Sequence, residues 1–330
     1  MTLQLSVLDL APVPEGVAPA AALRRTVDLA QLADRLGFVR YWFAEHHSMP
    51  SVGSSSPELL IGYAAGATTR IRVGSGGIML PNHAPLRIAE AFRTLEALYP
   101  GRIDLGLGRA PGSDQNASRA LRSFDGEQFP YLLSELIAFN TDRFPATHPF
   151  RAVRAVPDDV PLPPIFLLGS SGASARMAGE AGMGYSFASH FSSASPAPPF
   201  AAYRDSFVPS AQFPRPLAIL GVAVCCAATD AEAQYHAATM RLAWLRIRSG
   251  RFLPLPSPEE ALSYAYTAAE LATVKAFEDL VIVGNPQAVR AGIEARVAEC
   301  QADEVMIVSN LHSHEARLQS YELLAAEVLR

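Results

Sequence analysis

Glu45, His46 and His47 are consecutive titratable residues that follow directly on an apolar, aromatic run at residues 38–44. This run has the length and composition of a strand that is buried on both faces, as strands of parallel sheets are. The helical pattern before it stops at Gly37. The sequence therefore predicts a buried parallel strand whose C-terminal end carries chemistry.

A second candidate group, Gly169-Ser170-Ser171-Gly172, follows an apolar run and leads directly into a helical pattern. Free backbone N–H groups and two hydroxyls would then surround the positive end of a helix dipole, an arrangement that binds phosphate. Arg109 follows the neighbouring strand and can make a bidentate contact to the same anion. The alternative is that the turn only caps its helix and that Arg109 pairs with a carboxylate.

Three glycines, Gly74, Gly76 and Gly77, cluster at the end of the strand-like run 71–75. Glycine weakens a strand, so such a cluster indicates that a flat group approaches the backbone or that unusual dihedral angles are required. A planar ring could lie there. The alternative is a β-bulge.

Eight strand-like runs, each followed by a helical pattern, would position these groups. Because each helical crossover returns the chain to the same end of the sheet, the strands must be parallel. Eight units favour closure into a (β/α)8 TIM barrel, whose active site lies at the C-terminal ends of the strands. An open doubly wound sheet is the competing architecture, but the turn after its first strand would be rich in glycine, whereas residues 9–12 are Asp-Leu-Ala-Pro. The runs cover residues 3–8, 39–43, 71–75, 103–107, 165–168, 185–189, 217–226 and 305–309.

Residues 249–284 exceed what a minimal barrel requires. They contain three prolines and a helical pattern at 259–275, and we expect a lid-like insertion between the seventh and eighth strands. Asn285 and Pro286 then predict the N-cap and first turn of a further helix. One domain is expected, covering residues 1–330 and including this insertion.

Charge and composition exclude several classes of protein. The net charge is -5, and no basic patch points to nucleic acid or to an anionic membrane surface. No apolar segment reaches the roughly 18 residues of a membrane span, and no signal-peptide pattern is seen, so a cytoplasmic protein is expected. Cys225, Cys226 and Cys300 imply neither a disulfide framework nor a CxxC metal site, and the adjacent Cys225 and Cys226 should point to opposite faces of a strand.

The strand ends also exclude reactions. Lys275 is the only lysine and lies in the insertion, so no strand end offers a Schiff-base lysine. Glu45 has no obvious carboxylate partner at another strand end, as a glycosidase would require. A metal-dependent hydrolase stays open, because several strand ends could supply ligands. The candidate ligands are Glu45, His46, His47, His83, His190, His312 and His314.

In combination, these motifs resemble the bacterial luciferase-like flavin monooxygenases. The resemblance rests on residues 41–47, 73–81, 101–109, 169–172 and 314–318. It implies a (β/α)8 barrel that binds flavin mononucleotide (FMN), with the phosphate near Arg109 and the two serines and the isoalloxazine ring against the third strand. In the family a non-prolyl cis peptide lies under the ring, and it maps to Gly76–Gly77.

The resemblance also implies roles for individual residues. His46 matches the family's catalytic histidine, which acts as a base or hydrogen-bond partner in the oxygen chemistry. Glu45 is expected to orient the backbone and the ring, His47 to pack, and His312 and His314 to lie at the surface or at a helix entry. No metal ligands are implied. The implied cofactor-binding residues are Ala11, Glu45, Gly76, Gly77, Arg109, Gly169, Ser170 and Ser171.

Two positions depart from bacterial luciferase itself. Gly108 stands where luciferase has a reactive cysteine, and Gly169 replaces a carboxylate of its phosphate turn. The chain is therefore closer to the single-chain bacterial oxidoreductases of this family. Light emission from an aldehyde is not expected.

The function implied by the resemblance is that of a two-component monooxygenase. It would receive reduced FMN from a separate flavin reductase, insert one oxygen atom from O2 into a small organic substrate, and form a homodimer. The alternatives are a non-catalytic flavin-binding protein on the same fold and an oxidoreductase that uses the deazaflavin F420. The substrate is not identified, because its pocket would be formed by loops and by the insertion.

Overall fold

The computed structural model describes residues 3–122, 125–170 and 172–329. Within them, eight parallel strands pair side by side, and the sheet closes because the last strand pairs with both the first and the seventh. At least one helix follows each of these strands, so the predicted (β/α)8 barrel is confirmed. The barrel strands are β1 (Gln4–Asp9), β2 (Arg40–Phe43), β3 (Arg72–Ser75), β5 (Ile103–Gly108), β6 (Ile165–Gly169), β7 (Gly184–Ala188), β8 (Ala218–Cys226) and β10 (Glu304–Val308), and two short strands are β4 (Ile78–Met79) and β9 (Val281–Gly284).

Helices flank the barrel. None of them in the described part of the chain is long and apolar enough to cross a membrane. The helices are α1 (Pro19–Leu36), α2 (Pro57–Ala67), α3 (Pro85–Leu98), α4 (Gln115–Leu121), α5 (Phe129–Thr141), α6 (Gly172–Glu180), α7 (Ala197–Asp205), α8 (Asp230–Arg248), α9 (Pro258–Ser263), α10 (Ala268–Glu278), α11 (Pro286–Cys300) and α12 (His314–Val328), with short 3-10 turns at Leu80–Asn82 and Gly126–Gln128.

Local signals explain why the element boundaries could be predicted. Helix α1 ends at Gly37, whose φ of 87° lies in the left-handed region that commonly ends helices. Helix α11 begins where Asn285 and Pro286 predict it: the Asn285 side chain accepts the Ala288 N–H, and the proline occupies the first turn.

The barrel interior is packed with large apolar side chains. Trp42 of β2 and Phe166 of β6 meet edge to face, with ring centroids 4.9 Å apart. Since β2 and β6 are not neighbours in the sheet, this contact crosses the interior. Cys225 and Cys226 belong to two different apolar clusters, as their opposite orientation predicts, and both are free thiols.

A buried ionic cluster closes the N-terminal end of the interior. Arg40, at the start of β2, donates to Glu304 at the start of β10 (Nε to Oε1, 2.7 Å) and to Asp104 of β5 (Nη1 to Oδ2, 2.8 Å). Arg72, at the start of β3, also pairs with Asp104 (2.6 Å). Arg40 and both carboxylates are buried, and each charge has an opposite partner, as charges in a protein interior require.

The insertion between β8 and β10 is more ordered than the sequence predicts. The predicted helix at 259–275 is divided into α9 and α10, and the last four residues form β9, which pairs with β8 from Ala223 to Cys226. Before α9, Leu255 donates its N–H to the Val13 carbonyl and accepts the Glu15 N–H, both at 2.9 Å. The insertion is therefore joined to the loop that follows β1.

Candidate active site

His46 lies three residues after β2, half-buried at the C-terminal rim of the barrel. Its backbone N–H donates to the Ser54 carbonyl at 3.0 Å. Its ring Nδ1 lies 3.2 Å from the Gly112 carbonyl oxygen. Because a carbonyl can only accept, Nδ1 carries the proton in this bond, and the neutral ring has its lone pair on Nε2.

Burial lowers the pKa of His46 below its ordinary value of 6.5, and the neighbouring His47 lowers it further. The Gly112 carbonyl and the negative charge of Glu45 act in the opposite direction without reversing the shift. His46 is therefore neutral at pH 7. That is the protonation state in which Nε2 can accept a proton.

The Glu45 carboxylate is fully buried and is satisfied by the protein itself. Burial alone would raise its pKa, but hydrogen bonds and the charge of His83 lower the pKa to about 2. Glu45 is thus ionised at neutral pH and joins the loops after β2 and β4, which agrees with the orienting role implied by the resemblance. The donors are His47 Nε2 (2.8 Å), the Met79 backbone N–H (2.8 Å), Asn82 Nδ2 (3.1 Å) and His83 Nε2 (2.9 Å).

Asn82 and Gly112, which the sequence analysis did not single out, complete the positioning of His46. Asn82 Nδ2 donates to both Glu45 and the Pro111 carbonyl (3.0 Å), so it holds the loop after β5 against the other two loops. Gly112 has a φ of 67°, and a Cβ there would lie 2.6 Å from the Glu45 carbonyl oxygen. Only glycine fits without distortion at this position. The glycine was visible in the sequence, whereas nothing local marks Asn82.

The peptide bond between Gly76 and Gly77 is cis, as the resemblance implies. The two glycines separate β3 from β4, which pairs with β5 beyond the break. A Cβ at Gly76 would lie 2.7 Å from Leu8 Cδ1, and one at Gly77 would lie 2.7 Å from the Gly106 carbonyl oxygen. This part of the wall therefore presents backbone where side chains would not fit.

Arg109 and Ser170 follow two paired strands, β5 and β6, as predicted. Arg109 is exposed, and the residues that the structure describes offer it no hydrogen-bond or ion-pair partner. The carboxylate pairing considered as an alternative is thus not formed within those residues. A guanidinium without a partner in the described chain, at the end of a strand next to the one that Ser170 follows, suits an anionic ligand.

The turn after β6 leads directly into α6, which begins at Gly172. Ser170 is half-buried, and Ser171 lies outside the described residues. A Cβ at Gly169 would lie 1.9 Å from Ser174 Oγ, in the first turn of α6. The glycine that replaces the luciferase carboxylate therefore leaves room for this hydroxyl.

Ala11, two residues after β1, has a φ of 49°, a left-handed conformation that favours glycine. Its N–H donates to Asp9 Oδ1 at 2.7 Å, and the same oxygen accepts Arg317 Nη2 of α12 at 2.7 Å. Its carbonyl accepts the Gly53 N–H at 2.8 Å. A buried ion pair and a neighbouring loop thus hold Ala11 at the rim.

The candidate ligands of a metal-dependent hydrolase do not form a metal site in the described part of the chain, although His47 and His83 both contact Glu45. Within residues 3–122, 125–170 and 172–329, no three His, Cys, Asp or Glu side chains form a group that could hold a metal ion. His47 hydrogen-bonds Glu45, while His314 is the first residue of α12 and lies 3.1 Å from Asp28, at the predicted helix entry. His312 is partly buried.

The sequence matches the family model described as luciferase-like monooxygenase over residues 3–304. It is 42% identical over 325 residues to a protein of Escherichia coli (strain K12) named luciferase-like monooxygenase, covering 98% of this chain and 96% of the relative. It is 34% identical over 335 residues to the N-acetyl-S-alkylcysteine monooxygenase of Bacillus subtilis (strain 168), covering 99% and 98%.

Solved structures share the fold over the whole chain. The crystal structure of apo-MsnO8 has a TM-score of 0.87 at 37% identity and covers 99% of this chain and 98% of that one. The oxygenating constituent of 3,6-diketocamphane monooxygenase of Pseudomonas putida, in complex with FMN, has a TM-score of 0.72 at 18% identity, with 99% and 98% covered. An F420-dependent secondary alcohol dehydrogenase has a TM-score of 0.68 at 16% identity, with 99% of each chain covered. The last two show a likeness of fold alone.

Replacing Glu45 with glutamine should lower the free energy of unfolding at pH 7 by on the order of 3 kcal/mol, since each pKa unit corresponds to about 1.4 kcal/mol. The folded-state pKa of about 2 lies below the ordinary 4.5, so the charge stabilises the fold above pH 4.5 and this contribution is lost as the pH falls toward 2. The difference between wild type and Glu45→Gln should therefore shrink by about half at pH 3. Urea denaturation at both pH values measures it.

Glu294→Gln is the matched control, because Glu294 is exposed on α11. It should change the unfolding free energy by less than about 0.5 kcal/mol at either pH. An equal deficit of Glu45→Gln at pH 7 and pH 3 would show that the carboxylate charge is not what stabilises these loops.

Proposed function

The chain belongs to the luciferase-like monooxygenase family, and from this premise we propose that it is a flavin-dependent monooxygenase. It takes reduced FMN and O2, transfers one oxygen atom to a small organic substrate and releases the other as water. The observation that carries the proposal is the neutral imidazole of His46, held at the rim by the Gly112 carbonyl with Nε2 available to accept a proton.

The rim residues fit a flavin mononucleotide. Arg109, which has no partner among the described residues, offers a phosphate one positive charge, while Ser170 and the N-terminus of α6 offer a hydroxyl and free N–H groups. The wall at Gly76–Gly77, where a Cβ would collide with its neighbours, gives a flat ring close access to backbone.

Bound reduced flavin supplies the two electrons that activate O2. The chain's own residues control protons and water around it. His46 Nε2 accepts or returns a proton, and the Gly112 carbonyl keeps the ring in the tautomer that allows this. Below the rim, Trp42 and Leu8 fill the barrel interior and exclude water from that side.

FMN is favoured over F420 by the names of the relatives. Those at 42% and 34% identity are called monooxygenases, whereas the F420-dependent protein is a dehydrogenase at 16% identity. The structure in complex with FMN is also a monooxygenase component. The absorption spectrum of the bound chromophore decides between the two cofactors.

A separate flavin reductase is proposed as the source of reduced FMN. A nicotinamide site of the dinucleotide-fold type would place a glycine-rich turn after β1, and residues 9–12 have none. Delivery of reduced flavin from outside the chain is consistent with this.

The direct test is to add reduced FMN and oxygen-18 gas to the pure protein with an organic probe. N-acetyl-S-methylcysteine is the first probe, because a relative acts on N-acetyl-S-alkylcysteines by name, and a ketone and an aldehyde complete the panel. The proposal expects one labelled oxygen atom in a product. Tight FMN binding without a labelled product from the panel would favour a non-catalytic flavin-binding protein.

A homodimer is also proposed. Three large apolar residues on α2 and α3 are exposed: Leu59 by 69%, Tyr63 by 52% and Leu98 by 64%. The two helices pack against each other, and large apolar side chains exposed on adjoining helices are typical of surfaces that associate. Sedimentation should therefore show a dimer that Leu98→Arg converts to monomer, whereas Leu262→Arg, at an exposed position of α9, should leave the dimer intact.

His46→Ala should lower turnover by about 100-fold or more while leaving the Kd for FMN nearly unchanged, because the ring moves a proton rather than holding the cofactor. In the wild type, kcat should fall at acid pH with a midpoint below 6.5, since protonated His46 can no longer accept a proton and its pKa is lowered. Steady-state kinetics over pH and FMN titration measure both effects. His236→Ala, on the outer helix α8, is the control, and turnover of His46→Ala within twofold of wild type would remove His46 from the mechanism.

Arg109→Met should raise the Kd for FMN by about 10- to 100-fold, the factor of one charge-assisted hydrogen bond. The Kd for riboflavin, which lacks the phosphate, should stay the same. Fluorescence titration with both ligands measures the two Kd values, and Arg290→Met on α11 is the control. Equal losses for FMN and riboflavin would place Arg109 away from the phosphate.

A further inference from the structure

His190 is a second histidine at the rim of the barrel, two residues after β7. In the closed sheet, β7 is four strands away from β2, which places it on the opposite side of the eight-stranded barrel. His46 and His190 therefore extend from opposite sides of the same rim. The two imidazoles are near enough that protonation of His46 would lower the pKa of His190.

The imidazole of His190 is turned into the barrel. A Cβ built on Gly221 of β8 would lie 2.8 Å from His190 Nδ1 and 3.3 Å from its Cε1. Gly221 is two residues from both Ile219 and Ala223, so all three face the same side of β8. Ile219 and Ala223 belong to the apolar cluster that contains Trp42 and Phe166, so this side faces the barrel interior. The missing side chain of Gly221 thus provides the space that the imidazole occupies.

The ring is held in position but its polar atoms are not satisfied. Phe191 packs edge to face against it, with ring centroids 4.8 Å apart. Nδ1 is buried and meets no partner at good hydrogen-bond geometry among the described residues, although the adjacent Gly221 backbone raises the pKa of the ring as a hydrogen-bond acceptor does. Nε2 also has no partner in that part of the chain and is not among the buried unpartnered atoms, so it stays accessible from the mouth.

His190 is neutral over the physiological range. Burial lowers its pKa to about 4. A neutral imidazole can donate or accept one hydrogen bond at Nε2, depending on its tautomer. Nε2 has no partner in the described chain and is the ring nitrogen open to a ligand.

We propose that His190 is a second ligand-contacting imidazole of the active site and that its Nε2 hydrogen-bonds the polar edge of the isoalloxazine ring. This inference rests on the proposed function, namely that the chain binds FMN. The predicted flavin contacts lie at the ends of the consecutive strands β1, β2, β3, β5 and β6, and β7 continues that arc. The close contact with Gly221 fixes the His190 ring in one position. A fixed imidazole suits a ligand whose shape is the same in every turnover, and the flavin is such a ligand.

The test is the affinity of the full-length protein for FMN. His190→Phe, which keeps the packing but removes Nε2, should raise the Kd for oxidised FMN about tenfold, the factor of one hydrogen bond of about 1.4 kcal/mol. His190→Gln should restore part of the affinity, because its amide can donate or accept. His236→Phe, on the outer helix α8, should bind FMN as the wild type does. Fluorescence titration and thermal melting, which checks folding, are run on every variant.

Gly221→Ala is a second, independent variant. It keeps the His190 side chain, but the added Cβ displaces the imidazole. It should raise the Kd for FMN by a similar factor. Nitrogen-15 histidine NMR of the wild type, with the His190 signal assigned by its loss in His190→Gln, should show an Nε2 shift when FMN is added. This readout does not depend on turnover or on the identity of the organic substrate.

The possible results separate the two proposals. If wild type binds FMN while His190→Phe and Gly221→Ala bind it within twofold of wild type and the His190 signal does not move, this inference is wrong and the proposed function stands. If wild type binds FMN in neither redox state, both fail. Weaker FMN binding in both variants together with the Nε2 shift supports the inference.

Discussion

The geometry of the candidate site depends on one buried charge, the carboxylate of Glu45. A carboxylate without water is tolerated only when hydrogen bonds replace its solvation. Here the donors come from the loops after β2 and β4, and Asn82 extends the connection to the loop after β5. Three loops that a barrel scaffold would otherwise leave independent are thereby held in one arrangement. The Gly112 carbonyl belongs to this arrangement, so the tautomer of His46 is set by a backbone group of the loop after β5.

Burial and hydrogen bonding then separate the protonation states of the rim. Burial lowers the pKa values of His46 and His190, while hydrogen bonds lower that of Glu45. At neutral pH the site therefore combines an ionised carboxylate with neutral imidazoles. Groups whose environments drive their pKa values apart in this way can divide the tasks of orientation and proton transfer. The carboxylate orients, and the imidazoles are left with accessible nitrogen atoms.

The sequence predicted the barrel because its signals are local. Apolar runs gave all eight barrel strands, and Gly37, Asn285 and Pro286 marked helix boundaries through their own backbone preferences. The cis bond at Gly76–Gly77 was predicted only through the resemblance. Strand β9 was missed, because four residues at the end of an insertion show no pattern distinct from the loop around them.

A residue of the candidate site could be predicted only where a side chain capable of chemistry follows a strand-like run. His46 and Arg109 qualify, since each follows an apolar run directly. Asn82 does not, because its role arises from contacts with residues 37 and 29 positions away in sequence. His190 was visible only as a possible metal ligand, since its position depends on the space above a glycine of another strand.

The two ends of the barrel differ in how their polar groups are satisfied. At the N-terminal end Arg40 and Arg72 neutralise Asp104 and Glu304, whereas at the C-terminal rim His190 Nε2 has no partner in the described chain. Charges that are paired within the protein stabilise the first end, and a nitrogen atom left open at the second end is available to a ligand.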